Sequence, residues 1–185
     1  GDPTPPETVL GEAVGLALSM DMDTARVKNL LDKSMGNYSE ISTLMKKVPG
    51  KYRELMLELL EVVAEKDLRD TRAFILEDHI LQTADYYKGN EYPFQFFVDY
   101  ILNPRISHEI ITAWRSYILN YFDSTQKVSF IDDPRILADW LSSNIRQQDD
   151  MNYYRVPLSP EGVLKTGFAD ELSNKILFVA CCRTL

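Results

Sequence analysis

The amino-acid sequence predicts a mainly α-helical protein that folds as an irregular bundle of many helices. Apolar residues recur at helical spacing along most of the chain, and no pair of alternating segments predicts a β-hairpin. The 185 residues are 45% hydrophobic, a proportion that allows a buried core. Because the predicted loops are short and no repeat period is visible, we expect a bundle and not a solenoid.

Five helices are predicted in the N-terminal half. Asp23 or Thr24 begins the second of them, because a side-chain oxygen there can accept from the free N–H groups of a first turn. Gly36 ends that helix, and Pro49-Gly50 ends the third. The five predicted helices are Glu7–Met20, Asp23–Gly36, Ser39–Val48, Lys51–Glu65 and a fifth that begins at Asp67 and is stopped by Gly89-Asn90.

The segment from Phe94 to Leu102 has the aromatic composition of a strand, but its apolar residues also fit one face of a helix. Asn103-Pro104 ends this segment, and Trp114 begins the core face of a further helix. The sequence Asp132-Asp133-Pro134 predicts a helix start, since an acidic cap precedes a proline in the first turn. The remaining predicted helices run from Ser159-Pro160-Glu161 to Gly167 and from about Ala169 onward.

The charge and composition exclude several classes of function. A formal net charge of -8 argues against nucleic acid and anionic membranes as partners, because their phosphates attract clustered lysine and arginine. No segment approaches the roughly 20 apolar residues that span a bilayer. With two histidines and the adjacent pair Cys181 and Cys182, neither a zinc site nor a disulfide framework is expected. We predict no cofactor and no metal ligand.

Few residues suggest chemistry. His108-Glu109 matches half of the H-E-x-x-H zinc motif, but Thr112 replaces the second histidine, so we expect Glu109 to hold Arg105 or Arg115 through a charge-assisted hydrogen bond. The other candidates are more easily explained by structure. These are the buried small side chains Cys181 and Cys182, the core residue His79, and the solvated carboxylates Glu77, Asp78 and Asp85.

Two stretches resemble proteins with a transglutaminase-like core. The stretch from Asp132 to Leu185 contains a tryptophan-bearing helix, a loop, S-P-E-G-V-L-K-T-G-F-A-D and the helical run K-I-L-F-V-A-C-C-R-T-L. The stretch from Tyr100 to Arg115, Y-I-L-N-P-R-I-S-H-E-I-I-T-A-W-R, is similar to the helical region that precedes this core in large secreted bacterial proteins. The resemblance implies a helical N-terminal region, residues 1–125, and the start of an α+β core, residues 126–185. We expect the sheet of that core to lie beyond Leu185.

In this family the nucleophile is a cysteine at the N-terminus of the long helix, where the helix dipole favours a thiolate. Gly167 aligns with the glycine of the family's G-x-C turn, and the nucleophile position falls on Ala169. Cys181 cannot replace the missing thiol, because it lies about 18 Å farther along the helix axis. The resemblance therefore implies a degenerate member with no catalytic residue.

The resulting expectation is a non-catalytic binding or scaffold module for peptide or glycan at the cell surface. Tyr153, Tyr154 and Arg155 are the candidate groove residues, because tyrosines offer stacking faces with polar tips. One alternative is a hydrolase or acyl transferase whose chemistry is supplied outside this chain, and another is a purely structural helical domain. Resemblance alone predicts an extracellular or periplasmic, lipid-anchored location, and the oligomeric state is not predicted.

Overall fold

The computed structural model describes residues 7–87, 91–151 and 156–185, and it confirms the mainly α-helical class. About 71% of the structure is helical, and the described residues contain two strands of two residues each. The helices are α1 Glu7–Ser19, α2 Thr24–Ser34, α3 Tyr38–Lys47, α4 Arg53–Val62, α5 Glu65–Asp70, α6 Ala73–Thr83, α7 Phe94–Phe97, α8 Trp114–Tyr121, α9 Ser124–Asp132, α10 Pro134–Asn144, α11 Pro160–Thr166 and α12 Glu171–Cys182. Short 3₁₀ turns occupy Gly50–Tyr52 and Asp149–Met151, a π-helical turn occupies Val98–Leu102, and the strands are β1 Arg146–Gln147 and β2 Phe168–Ala169.

The chain divides into two compact units, Gly1–Asn103 and Pro104–Leu185. Each unit has a hydrophobic cluster of its own among the described residues. The family resemblance places the start of the transglutaminase-like core at residue 126. That boundary is a different quantity from the division into compact units, and it stays a prediction.

In the first unit, local signals set the ends of α2. The Asp23 carboxylate accepts from the backbone N–H groups of Ala25 and Arg26, as the sequence predicts. The helix ends where Met35 and Gly36 adopt positive φ angles of 44° and 108°. Arg26 links α2 to α4 through ion pairs with three carboxylates of α4, those of Glu54, Glu58 and Glu61.

The predicted helix that begins at Asp67 is wrong as one element, because the structure contains α5 and α6 with a break at Thr71-Arg72. Its predicted stop, Gly89-Asn90, lies outside the described residues. Two side chains from α3 and the turn before it hold this break. Asn37 Nδ2 donates to the carbonyl oxygens of Leu68 and Thr71, at 3.0 and 2.9 Å. A carboxylate oxygen of Glu40 accepts from the N–H of Ala73 at 2.7 Å and thereby caps α6.

The aromatic segment before Asn103 is helical, which resolves the choice between strand and helix. It begins as α7 and widens into the π-helical turn Val98–Leu102. Phe97, Val98 and Leu102 are buried in the core of the first unit. The helix-face pattern of the apolar residues is therefore confirmed, whereas the change of helix type is not encoded in that pattern.

The second unit packs α8 to α12 around a core that contains Trp114, Phe130, Leu141 and Leu177. Helix α10 starts at Pro134 after the cap Asp133, as predicted. Sequence reasoning missed α9, although its signal is local: Asp123 and Gln126 form a capping box in which each side chain accepts from the backbone N–H of the other. Within the part of the chain that is described, no helix has the length and apolar character needed to cross a membrane.

Candidate functional site

The position that the family resemblance aligns with a nucleophile lies in β2. Gly167, with φ +70°, ends α11 and turns the chain into Phe168–Ala169. β2 pairs in parallel with β1, and the carbonyl oxygens of Gly167 and Ala169 accept from the N–H groups of Arg146 and Gln148, both at 2.9 Å. Ala169 is 2% exposed, so its methyl group is buried in the second unit, where β2 contacts α12.

The N-terminus of α12 follows this methyl group and is capped by carboxylates. Asp170 accepts from the N–H of Ser173 at 2.6 Å, and Asp149 accepts from the N–H of Glu171 at 3.1 Å. Two donors of the first turn are therefore bound by acidic side chains of the protein itself. The partial positive charge of this helix end is balanced within the chain, and the local charge is negative.

An open cleft of about 250 Å³ adjoins Ala169. Three exposed apolar side chains, Val156, Leu158 and Phe168, form part of its wall, and Arg146 lies over the Phe168 ring at 5.5 Å. Leu158 is fixed to α12, because its N–H donates to Ser173 Oγ at 2.8 Å. The complete lining is Gln148, Val156, Leu158, Thr166, Phe168, Ala169, Asp170 and Ser173.

The two thiols are not placed for nucleophilic chemistry at this cleft. Cys181 is fully buried in the second core, and burial raises the pKa of its thiol well above the ordinary range. Cys182 is exposed, which makes the expectation that both cysteines are buried wrong for this residue. Burial of part of its side chain also raises the pKa of the Cys182 thiol. Neither residue lines the cleft.

Glu109 binds backbone groups of the loop before α8, and its predicted charge-assisted hydrogen bond to Arg105 or Arg115 stays a prediction. Its carboxylate oxygens accept from the N–H groups of Ile106 and Ser107, both at 2.8 Å, and it is 1% exposed. Arg105 donates to the carbonyl oxygen of Glu109 at 2.8 Å. Arg115 is fully buried against the Trp114 ring and donates to the carbonyl oxygen of Arg183 at 2.6 Å.

The predicted groove residues are adjacent in sequence to one residue of the cleft lining. Tyr153, Tyr154 and Arg155 lie outside the described residues, and the described residue that follows them, Val156, lines the cleft. Sequence reasoning missed most of the lining side chains, because residues 148, 158, 168 and 173 converge only through folding. His79 is fully buried in the first unit, as a core residue should be. In residues 7–87, 91–151 and 156–185, no three histidine, cysteine or acidic side chains gather as metal ligands do.

Comparison with known proteins gives no match: no family model, no curated protein and no solved structure is similar to this chain.

Proposed function

We propose that this chain is a non-catalytic binding module, related to transglutaminase-like proteins, that holds a peptide in the cleft beside Ala169. One observation supports the proposal: Ala169 lines an open cleft. The resemblance aligns this residue with a catalytic cysteine, so a methyl group stands where the family has a sulfur atom. An alanine side chain forms no acyl bond, whereas the cleft is retained as a binding surface.

The lining favours a peptide over a glycan. Val156, Leu158 and Phe168 are apolar and exposed, and together they suit an apolar side chain of the bound segment. Gln148 and Thr166 supply polar groups on the same lining, which suit the amide groups that flank such a side chain. A glycan would need more polar partners than this wall presents, so it is the second candidate.

The resemblance to secreted bacterial proteins supports an extracellular or periplasmic, lipid-anchored location as part of this proposal. An enzyme of the transglutaminase superfamily with chemistry supplied outside this chain, and a purely structural domain, are the alternatives that experiment must separate.

Binding can be tested with an array of peptides that carry one apolar residue between polar neighbours. We expect Phe168→Ala and Leu158→Ala to weaken binding by about tenfold, because each removes part of the apolar wall. Ile136→Ala is the matched control, since Ile136 is also an exposed apolar residue of the second unit but lies in α10, away from the cleft lining. Equal losses in all three variants, or none, would contradict a peptide site in the cleft.

The absence of acyl chemistry can be tested with a thiol-directed electrophile. We expect the Cys182→Ser variant to resist alkylation, because its remaining thiol, that of Cys181, is buried and has a raised pKa. Adding Phe168→Cys should introduce labelling, since residue 168 is exposed and lines the cleft. If an activity that hydrolyses an amide substrate co-purifies with the unsubstituted protein, the non-catalytic proposal is wrong.

A further inference from the structure

A row of three aromatic rings lies at the surface of the first unit, apart from the cleft lining. Tyr92, Phe96 and Tyr100 form this row, which we call the aromatic strip. The ring centroids of Tyr92 and Phe96 are 5.6 Å apart, and those of Phe96 and Tyr100 are 4.9 Å apart. Phe96 is 47% exposed and Tyr100 is 55% exposed. Contiguous exposed aromatic rings are typical of binding surfaces, whereas single exposed apolar residues are ordinary.

The aromatic strip is held in place by the core. Tyr92 contacts the ring of Tyr87 at a centroid distance of 6.0 Å, and Tyr87 contacts the fully buried Phe97 at 5.5 Å. The exposed rings therefore continue a packed aromatic cluster of the first unit. A surface fixed in this way loses little side-chain entropy when a partner binds.

Polar side chains alternate with the rings along the same helical segment. Phe96 and Tyr100 are four residues apart, and so are Gln95 and Asp99, which makes two neighbouring rows along α7 and the π-helical turn. Gln95 Nε2 donates to Asp99 Oδ1 at 2.9 Å and orients that carboxylate. π-helical turns are rare and are often found at functional sites.

The sequence segment that carries the aromatic strip is acidic. Residues 91–103 contain Glu91 and Asp99 and no lysine or arginine, and the whole chain carries a net charge of -8. Burial raises the pKa of Tyr92, and the nearby carboxylate of Glu91 raises it further. Exposed ring faces beside carboxylates attract a cation more strongly than they attract a neutral or anionic ligand.

We propose that the aromatic strip binds arginine side chains of a basic polypeptide segment. A guanidinium group stacks on the faces of Phe96 and Tyr100 and donates to the carboxylate of Asp99, because its planar shape suits both contacts at once. The chain already contains contacts of this kind: Lys51 Nζ lies 4.4 Å from the Tyr52 ring, and the Arg146 guanidinium lies over Phe168. The cation–π contacts among the described residues involve other rings than those of Phe96 and Tyr100.

The full chain can be titrated with a fluorescently labelled Arg-Gly-Gly-Arg peptide at physiological ionic strength. The control peptide contains citrulline in place of arginine, which keeps the shape of the side chain and removes its charge. We expect the citrulline peptide to bind about tenfold more weakly. Phe96→Ala and Tyr100→Ala should each weaken binding of the arginine peptide by about fivefold, whereas Phe96→Trp should preserve it, because indole is the best cation–π acceptor.

Phe74→Ala is the matched control, since Phe74 is 54% exposed and lies in α6 of the same unit, outside the aromatic strip. Circular dichroism checks that each variant keeps its helical content. Equal affinity for the two peptides overturns the proposal, and so does an equal effect of Phe74→Ala and Phe96→Ala. The proposal is also wrong if Phe96→Ala weakens binding to chito-oligosaccharide or to phosphatidylcholine vesicles but leaves binding of the arginine peptide unchanged.

Discussion

Two fully buried charged residues fix the region around Trp114. The Glu109 carboxylate binds two backbone N–H groups of its own loop, and Arg115 reaches the carbonyl oxygen of Arg183 at the end of α12. A buried charge without such partners is strongly destabilising, so these hydrogen bonds matter more than exposed ion pairs do. The loop from Pro104 to Ala113, which has no regular helix, is ordered by them.

Replacing Glu109 with glutamine should lower the free energy of unfolding of the second unit by about 2 kcal/mol. An amide has one acceptor oxygen, so its NH₂ group must face the N–H of Ile106 or Ser107. Urea unfolding followed by tryptophan fluorescence measures this unit, because both tryptophans, Trp114 and Trp140, belong to it.

Asp139→Asn is the control for this measurement, since Asp139 is exposed on α10 and its removal changes the net charge by the same amount. If Glu109→Gln unfolds at the same urea concentration as Asp139→Asn, then the two backbone hydrogen bonds do not stabilise the loop.

At the scale of elements, the turn between α11 and α12 depends on one glycine. Gly167 adopts φ +70°, and its N–H donates to the carbonyl oxygen of Val163 at 2.8 Å to close α11. The strand β2 and the cap Asp170 follow immediately, so the direction of the chain into the cleft is set here. Neighbouring residues leave room for a Cβ at position 167, since none of their atoms lies within 4 Å of its place. Glycine is therefore needed here for its backbone conformation and not for space.

Gly167→Ala should therefore lower the free energy of unfolding by about 1 kcal/mol, because an L-residue with a Cβ is strained in the left-handed region. Gly167→Asn should cost less, since asparagine tolerates this conformation best among the non-glycine residues. Tryptophan fluorescence in urea compares the two variants. Equal stability of Gly167→Ala and the unsubstituted protein would show that the turn relaxes to another conformation.

The sequence predicts elements whose signals are local. Asp133-Pro134 and Ser159-Pro160 begin helices because the capping side chain and the capped N–H groups are a few residues apart. The break between α5 and α6 could not be predicted, since Asn37 and Glu40 reach it from more than thirty residues away. The same reasoning applies to the pairing of β1 with β2, which joins two-residue segments through the fold.

The candidate site was predictable only in part. The structure puts Ala169 at a cleft, whereas the family alignment that singled out this residue stays a prediction. The side chains that form the rest of the lining come from separate loops and helices, and no periodic pattern marks Leu158 or Ser173 as neighbours. The tyrosines expected to line the groove lie outside the described residues.

At the scale of the whole molecule, the separate cores predict that each compact unit folds alone. We expect fragments 1–103 and 104–185 each to show helical circular dichroism and a cooperative thermal transition. A fragment of residues 126–185 should not fold, because it lacks the buried side chains of Trp114, Ile118 and Phe122. Cooperative folding of 126–185, with loss of folding in 104–185, would instead favour the division expected from the family resemblance.

The π-helical turn Val98–Leu102 has a consequence for descendants and relatives of this chain. A π turn holds one residue more than an α turn, so deleting a single residue there would restore ordinary helical winding. The residues after the turn would then keep their direction, whereas Tyr100 would follow Phe96 by three residues instead of four. The offset between the Phe96 and Tyr100 rings would change, so relatives that lack one residue between these two positions should present a differently arranged aromatic strip.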